Sequence, residues 1–323
     1  MERNTSARIM EKQRIVFMGT PDFAVATLEA LLEANANVVG VITAPDRKSG
    51  RGMKLQPSAV KKFALENNLK VLQPTNLKAE EFLTELRSLD ATLQIVVAFR
   101  MLPELVWNMP KNGTFNLHAS LLPQYRGAAP INWAVINGEK ESGVTTFFLQ
   151  HKIDTGDVIF QESVPIADDM TAGELHDELM EVGAKLVVKT LDAIESDNCP
   201  STPQSNSSEL KEAPKIFKDT CRIDWAKSVQ EVYNLIRGLS PYPAAFTLIS
   251  DGESELGLKI YQSRKTEKRE KGENGMIQIE NGRLFISCSN GWLEILELQL
   301  AGKKRMRTED LLRGTDLSQF SIV

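Results

Sequence analysis

The stretch from Gly113 to Trp133 carries the residues whose types and spacing best suit a chemical role. It opens as a short apolar strand, predicted over Thr114–Leu117, with Asn116 and His118 two residues apart. Because side chains alternate along a strand, both point to the same face. An amide can hold an oxyanion and an imidazole can accept a proton near pH 7, so the pair suits acyl transfer. A hydrogen-bonded polar pair at a strand end, without a catalytic role, is the alternative that these residues alone leave open.

The composition is that of an ordinary globular chain. Of its 323 residues 42% are hydrophobic and 25% are charged, and this length is enough for two domains. No apolar run could cross a bilayer, and residues 1–13 lack the apolar core of a secretory signal, so we expect no membrane association and a cytoplasmic location. The three cysteines are widely spaced and predict neither disulfides nor a metal site. With a net charge of −5, a polyanionic partner would have to meet local basic patches.

The first part of the chain is predicted to be an α/β domain with a mostly parallel sheet. Arg14–Met18 and Val38–Thr43 are β-rich apolar runs, and the residues between them have helical spacing. A strand, a helix and a strand joined by short links form a right-handed unit with parallel strands. The G-x-G-x-x-G fingerprint is absent after the first strand, so we do not expect NAD or FAD. Further strands are predicted over Lys70–Leu72, Leu93–Ala98, Val144–Leu149 and Val158–Val164, and a long helix over Ala172–Ser196.

The segment Ala44–Leu55 is predicted to be a flexible loop rich in glycine and basic residues. It leaves the carboxyl end of a strand, where open α/β sheets place their ligands. Its cations could neutralise phosphates, although a solvated surface loop is the more common role of such a charge run. The four cations are Arg47, Lys48, Arg51 and Lys54.

The pattern changes after a polar segment rich in serine and proline, residues 198–208, which is typical of a linker. A helix is predicted over Val229–Gly238, followed by several short strands, and Asn281-Gly282 indicates a hairpin. Many short strands with glycine turns predict a small barrel of the oligonucleotide-binding (OB) type. We therefore divide the chain into an N-terminal extension (1–13), a catalytic domain (14–197), a linker (198–212) and a barrel-like domain (213–323).

Five motifs resemble those of bacterial-type methionyl-tRNA formyltransferases, within the family of formyltransferases that use 10-formyltetrahydrofolate. They occur in the family's order and cover the chain from Arg14 into the C-terminal domain. The N-x-H-x-S-L-L-P run with a later D-T-G-D is typical of enzymes that use this folate, and GTPDF and AGKK narrow the resemblance to the tRNA-directed members. The motifs are GTPDF (Gly19–Phe23), APDRKSGRG (Ala44–Gly52), FNLHASLLPQYRGAAPINW (Phe115–Trp133), IDTGD (Ile153–Asp157) and AGKK (Ala301–Lys304).

The resemblance implies a Rossmann-like formyltransferase domain followed by an OB-like barrel domain that helps to hold tRNA. It also implies that Asn116, His118 and Asp154 are catalytic, that 10-formyltetrahydrofolate is the co-substrate, and that Arg51 senses the acceptor end of initiator methionyl-tRNA. We expect no metal and a monomer. The implied folate-binding residues are Phe99, Arg100, Ser120, Leu121, Leu122, Pro123, Ile153, Thr155 and Gly156, and the implied tRNA-binding residues are Arg47, Lys48, Arg51, Lys54, Lys303, Lys304 and Arg305.

The chemistry of formyl transfer agrees with those roles. A neutral amine attacks the formyl carbon, an oxyanion forms, and the folate nitrogen leaves with a proton. Asn116 can donate to the oxyanion and His118 can move the proton. An ionised Asp154 can hold the imidazole in the useful tautomer.

Two segments depart from the family pattern. Arg100 stands where a glycine is expected, in a segment, Val97–Pro103, that is one residue shorter than usual and lines the pterin pocket in the family. Gln150-His151-Lys152 replaces the usual D-x-G before the catalytic aspartate. Both departures change turns that border the expected folate pocket.

Together the motifs favour transfer of a formyl group to methionyl-initiator tRNA, for translation initiation. One rival is a 10-formyltetrahydrofolate hydrolase or a formyltransferase for a small amine, such as a sugar or a nucleotide precursor, with the same first domain. The basic clusters speak against it, since a small substrate needs neither. The other rival is a non-catalytic RNA-binding module, which would explain the basic clusters but not the set of Asn116, His118 and Asp154.

Overall fold

The computed structural model describes residues 12–49, 54–205, 209–268 and 272–323. They form two compact units that interleave along the chain. The first comprises the described residues up to Arg126 together with Gly143–Val164 and Asp177–Lys211, and the second comprises Gly127–Ser142, Pro165–His176 and the described part of Glu212–Val323. Across the described ranges, no helix is both long and apolar enough to span a membrane.

The secondary structure alternates in the first half of the chain and is mostly strand in the second. The strands are β1 (Arg14–Gly19), β2 (Asn37–Ile42), β3 (Arg47–Ser49), β4 (Lys54–Gln56), β5 (Val71–Leu72), β6 (Leu93–Val97), β7 (Thr114–His118), β8 (Arg126–Gly127), β9 (Glu141–Phe148), β10 (Val158–Pro165), β11 (Glu212–Ala213), β12 (Ala245–Ser250), β13 (Glu255–Lys265), β14 (Ile277–Glu280), β15 (Arg283–Cys288), β16 (Gly291–Leu300), β17 (Met306–Arg307) and β18 (Ser321–Ile322). The helices are α1 (Asp22–Glu33), α2 (Ala59–Glu66), α3 (Glu80–Ser88), α4 (Glu104–Trp107), α5 (Pro130–Ile136), α6 (Ala172–Glu195), α7 (Val229–Leu239) and α8 (Thr308–Leu312), with a 3-10 turn at Asp219–Cys221.

The sheet of the first unit has the order β10-β9-β7-β6-β1-β2-β5. β1 pairs in parallel with β2 and β6, and β6 pairs in parallel with β7, which confirms the predicted mostly parallel α/β sheet. The central strands are buried on both faces, as continuous apolar runs in parallel sheets require. Gly19 lies opposite Val97, and Val97 lies opposite Leu117, so β1, β6 and β7 end at one edge of the sheet.

The prediction of a flexible loop over Ala44–Leu55 is wrong in part. β3 and β4 pair antiparallel there, with Arg47 opposite Gln56. The many polar residues and glycines of this segment hide the pairing in the sequence, because these short strands have no apolar alternation.

The sheet of the second unit is antiparallel, with the order β14-β15-β16-β13-β12-β18, and β17 pairs with β16. It curls into a half-barrel, as the barrel prediction leads us to expect. Asn281-Gly282 forms the predicted hairpin, since Glu280 pairs with Arg283 across it. The apolar face of α7 packs in the core of this unit and includes Val232, Ile236 and Leu239. Its first turn is closed by a capping box of Ser228 and Glu231.

A buried carboxylate joins three adjacent strands of the half-barrel, β15, β16 and β13. The side chain of Glu294 on β16 is 5% exposed and accepts hydrogen bonds from Arg264 and Arg283, whose Nη2 atoms both lie 2.6 Å from its Oε2. The hydrogen bonds from Arg283 and then Arg264 hold the pKa of Glu294 below its ordinary value. The charged form of Glu294 therefore stabilises the folded state.

We expect Glu294→Gln to lower the free energy of unfolding by about 2 kcal/mol at pH 7, because it removes charge-assisted hydrogen bonds from a buried acceptor. The depressed pKa sets the pH dependence. The stabilisation is fully present above the unfolded carboxyl pKa of about 4.3 and is lost as the pH falls through the lower folded value. Urea unfolding from pH 7 to pH 3 measures this, with Glu253→Gln at an exposed loop position as the matched control. A deficit that is as large at pH 3 as at pH 7 would contradict the ionic origin of the stabilisation.

Candidate active site

Asn116 and His118 lie on the central part of the first sheet. Asn116 is opposite Val96 of β6 on one side and Phe147 of β9 on the other, so its backbone is fixed within the sheet. Its side chain is half-buried, whereas the residues on either side of it along the strand are buried. Asn116 is therefore the residue of β7 that is most accessible. His118 is 7% exposed and ends the strand.

The His118 ring is held by the loop that follows β7. Its Nε2 lies 2.9 Å from the carbonyl oxygen of Tyr125. Because a carbonyl can only accept, Nε2 carries the hydrogen, and in the neutral ring Nδ1 keeps the lone pair. Tyr125 has a left-handed backbone, with φ of 58°, and its N–H donates to the carbonyl of Lys211 at 2.7 Å. One nitrogen of the imidazole is thus held by the fold, and the other, Nδ1, keeps its lone pair in the neutral ring.

The loop after β7 is braced by Thr145, which lies opposite His118 in the sheet. The hydroxyl of Thr145 donates to the carbonyl of Ser120 at 2.6 Å and accepts from the N–H of Leu122 at 3.1 Å. Gln161 donates to the same hydroxyl at 3.0 Å and to the carbonyl of Leu122 at 2.8 Å. Neither Thr145 nor Gln161 was predicted from the sequence, although a threonine within the apolar run of β9 is a signal for Thr145.

The predicted folate-binding residues of this loop differ in exposure. Ser120 is buried, and its hydroxyl donates to the carbonyl of Gln124 at 2.7 Å. Leu122 is also buried, whereas Leu121 and Pro123 are half-buried. The structure thus leaves Leu121 and Pro123 more accessible than Ser120.

Asp154 lies in the loop that joins β9 to β10. Since β9 is antiparallel to β7, this loop leaves the sheet beside Thr114, to whose carbonyl Leu149 donates at 2.8 Å, and not beside His118. Asp154 has a left-handed backbone with φ of 54°. Gly156 is buried against the carbonyl oxygen of Phe148, and any Cβ at this position would overlap that atom. Asp154 therefore sits in a tight turn that needs the glycine two residues later.

The Asp154 loop is connected to the loop after β7 through one side chain. Gln204 donates to the carbonyl oxygens of Asp154 and Gly156 at 2.9 and 2.8 Å. Its Oε1 accepts from Arg126, whose Nη2 lies 2.6 Å away. Arg126 directly follows Tyr125, the residue that holds the His118 ring. No local spacing in the sequence predicted Gln204, which lies in the segment interpreted as a linker.

In the segment Val97–Pro103, which departs from the family pattern, Arg100 bonds to a neighbouring part of the chain. Its guanidinium donates to the carbonyl oxygens of Pro74 and Thr75 and lies 5.5 Å from the centroid of the Phe99 ring. Burial lowers the pKa of Arg100, and the nearby Arg47 lowers it further. Arg100 thus ties the turn after β6 to the segment after β5, a connection that a glycine could not make.

Apolar side chains border the strands on either side of β7. Phe99, after β6, and Leu149, after β9, pack on the same apolar cluster. Ile153 is 60% exposed and Met101 is 73% exposed. Thr155 fixes the Asp154 loop by donating to the carbonyl of Lys152 at 3.0 Å. The loops that follow β6 and β9 thus each carry an exposed apolar side chain, Met101 and Ile153.

The basic segment after β2 is anchored through Asp46. Its carboxylate accepts hydrogen bonds from Lys61 at 2.7 and 2.9 Å and from Gln73 at 2.8 Å. Gln73 and Lys61 hold the pKa of Asp46 below its ordinary value. Arg47 follows it at the exposed start of β3. Arg51 and the side chains of Lys48 and Lys54 lie outside the described part of the chain.

The predicted basic cluster near the C-terminus is partly engaged within its own unit. Lys303 donates to the hydroxyl of Thr315 at 2.7 Å. Arg305 donates to Glu297 at 2.6 Å and stacks 4.3 Å from the centroid of the Tyr261 ring. Lys304, between them, is exposed. Among the described residues no group of His, Cys, Asp and Glu side chains could hold a metal ion.

Solved structures share the fold at low sequence identity. A sugar 3N-formyl transferase, WlaRD, solved with dTDP and 5-N-formyl-THF, matches with a TM-score of 0.66 and 23% identity, over 91% of this chain and 100% of that one. HypX from Aquifex aeolicus in complex with tetrahydrofolic acid matches with a TM-score of 0.62 and 19% identity, over 94% of this chain and 47% of HypX.

The amino-acid sequence matches two family models and much closer relatives. Residues 13–191 match Formyl transferase, and residues 215–316 match Formyl transferase, C-terminal domain. The methionyl-tRNA formyltransferase of Flavobacterium johnsoniae is 54% identical over 96% of this chain and 98% of its own length. That of Parabacteroides distasonis is 57% identical over 94% of this chain and 96% of its own length. The family resemblance is confirmed: the chain belongs to the formyl transferase family and, within it, to the methionyl-tRNA formyltransferases.

Proposed function

We propose that this chain transfers the formyl group of 10-formyltetrahydrofolate to the α-amino group of methionyl-initiator tRNA, acting in the cytoplasm as a monomer. The observation that carries the proposal is the pair of Asn116 and His118 on one face of β7, with Nε2 of His118 bonded to Tyr125. The similarity to methionyl-tRNA formyltransferases extends over both family domains, which supports tRNA as the acceptor.

The side chains of β7 supply the groups that the transfer needs. The amide of Asn116 donates to the oxygen that becomes negative when the amine attacks the formyl carbon. His118 takes the proton of the attacking amine at Nδ1 and returns it to the leaving folate nitrogen. Nε2 cannot serve, because the carbonyl of Tyr125 already accepts its hydrogen. Asp154, when ionised, stabilises the charged imidazole.

We assign the folate co-substrate to the loops that follow the strands neighbouring β7. It supplies the formyl carbon, and the faces of its rings suit contact with apolar side chains although their edges are polar. Phe99 and Ile153, which follow the strands on either side of β7, offer apolar side chains to such rings. The WlaRD and HypX structures with bound folates support a folate site in this fold.

The basic residues are assigned to tRNA. We propose that Arg47 and Arg51, in the basic segment after β2, contact the acceptor end, and that Lys303, Lys304 and Arg305 of the domain 213–323 contact phosphates. Lys304 is the most available of the three, since Lys303 and Arg305 already bond within their own unit.

A formyl-transfer assay tests the function against its rivals. We expect formylmethionine from methionyl-initiator tRNA and none from methionyl-elongator tRNA, with 10-formyltetrahydrofolate present in both. Formate released without any tRNA would indicate a hydrolase. Formylation of a nucleotide-linked amino sugar, with tRNA untouched, would indicate a small-amine enzyme, and absence of all three products would leave an RNA-binding module.

Asn116→Asp removes the amide donor without changing the size of the side chain, and we expect turnover to fall by about 10²–10³-fold. His118→Asn removes the proton carrier, and we expect a fall of about 10²–10⁴-fold. Single-turnover rates with saturating substrates measure both effects, and the urea-unfolding midpoint serves as the folding control. Rates close to the unsubstituted protein in both variants would reject the catalytic assignment.

Lys304→Ala tests the basic cluster. We expect weaker tRNA binding and a salt dependence, plotted as log affinity against log salt, that is shallower by about one unit if this side chain contacts a phosphate. Filter binding between about 50 and 200 mM salt covers the useful range. Lys227→Ala, at an exposed lysine of the same unit, is the matched control. Equal slopes for both variants would remove Lys304 from the tRNA contact.

A further inference from the structure

We propose that Gln204 is a positioning residue that ties the loop carrying Asp154 to the loop that holds the His118 ring. The inference rests on the proposed function, since it takes Asp154 and His118 as the residues that act on the substrates. Gln204 lies about 50 and 78 positions along the chain from the groups it joins, in a polar segment that the sequence presents only as a linker.

Both ends of the Gln204 amide are used. The nitrogen donates one hydrogen bond to the carbonyl of Asp154 at 2.9 Å and another to that of Gly156 at 2.8 Å. The oxygen accepts from Nη2 and Nε of Arg126 at 2.6 and 3.2 Å. Carbonyls need a donor and a guanidinium needs an acceptor, and an amide side chain offers two N–H donors and an oxygen acceptor from one group. Glutamate, lysine or leucine at this position would satisfy one side at most.

The backbone around Gln204 is itself fixed to the start of β10. Thr202 and Val158 exchange backbone hydrogen bonds of 2.8 and 2.9 Å, and the hydroxyl of Ser201 donates to Asp157 at 2.8 Å. The Gln204 amide therefore extends from an anchored segment.

Lys211, in the same predicted linker as Gln204, holds the loop that follows β7. The N–H of Lys211 donates to the Gln124 side chain at 2.9 Å, and the carbonyl of Lys211 accepts from the N–H of Tyr125 at 2.7 Å. Tyr125 is the residue whose carbonyl accepts from His118. The chain after α6 thus contacts the Asp154 turn at Gln204 and the His118 loop at Lys211, and the Gln204–Arg126 bond joins the two directly.

The tether has a catalytic consequence. Asp154 lies in a loop that leaves the sheet beside the start of β7, whereas His118 is at the end of that strand. The sheet alone therefore does not bring the Asp154 turn to the imidazole. A small displacement of a catalytic group can lower the rate by about 100-fold. We therefore expect the loss of a bond that fixes this turn to lower kcat more than it weakens substrate binding.

Gln204→Glu is the sharpest test. It keeps the size and the acceptor for Arg126 but replaces the donor to both carbonyls with a carboxylate oxygen. We expect kcat to fall by about 10–100-fold in Gln204→Glu and in Gln204→Ala, with KM for tRNA changed by less than about two-fold. Gln230→Ala, whose amide likewise joins two groups but in the other compact unit, is the matched control with kcat unchanged.

Hydrogen exchange tests the tether without using activity. We expect faster amide exchange over residues 150–157 in both Gln204 variants and not in Gln230→Ala. Unchanged exchange over 150–157 overturns the tether, whatever the rates are.

A double-mutant cycle separates positioning from a merely structural role. If Gln204 acts through the Asp154 turn, Gln204→Ala should cost less than about two-fold in an Asp154→Ala background. A double variant whose loss of kcat equals the product of the two single losses would overturn the positioning role. A fully active Asp154→Ala would reject that part of the proposed function, and the exchange experiment alone then decides whether the tether exists.

Discussion

The hydrogen bond from His118 to the carbonyl of Tyr125 is the constraint around which the site is built. It joins two residues seven positions apart at the end of β7 and assigns different tasks to the two ring nitrogens. To present that carbonyl, Tyr125 adopts a left-handed backbone, and Ser120 and Gln124 bond to each other across the loop. The loop after β7 is thus an internally bonded support for one imidazole, fixed before any substrate binds.

Support for this loop comes from parts of the chain that are distant in sequence. Thr145 satisfies the backbone at Ser120 and Leu122 from the neighbouring strand, and its hydroxyl has a partner for its hydrogen and for both lone pairs. Asn116 needs no such support, because its backbone is held in the middle of the sheet. The backbone of Asn116 is therefore positioned by the sheet itself, whereas the imidazole and Asp154 depend on polar contacts between loops.

The sequence predicts the strands of the parallel sheet well, because short continuous apolar runs joined by short links are compatible with few structures other than buried strands. It also places Asn116 and His118 on one face, since strand alternation is a local property. It fails at the β3–β4 pairing, whose polar strands carry no periodic signal, and at Gln204 and Arg100. Gln204 bonds to a backbone carbonyl 50 positions away, and Arg100 bonds to carbonyls 25 and 26 positions away. Only tertiary packing brings such carbonyls within reach.

The ¹⁵N NMR spectrum of the histidine rings in the free protein directly tests which nitrogen of His118 carries the hydrogen. The chain has three histidines, His118, His151 and His176, so His118→Asn identifies the resonances of interest. At a pH where the ring is neutral, the account predicts a His118 fixed with hydrogen on Nε2 and the lone pair on Nδ1. A ring protonated on Nδ1 instead, or one averaging between the two tautomers, would contradict the assignment of Nδ1 as the atom that carries the proton.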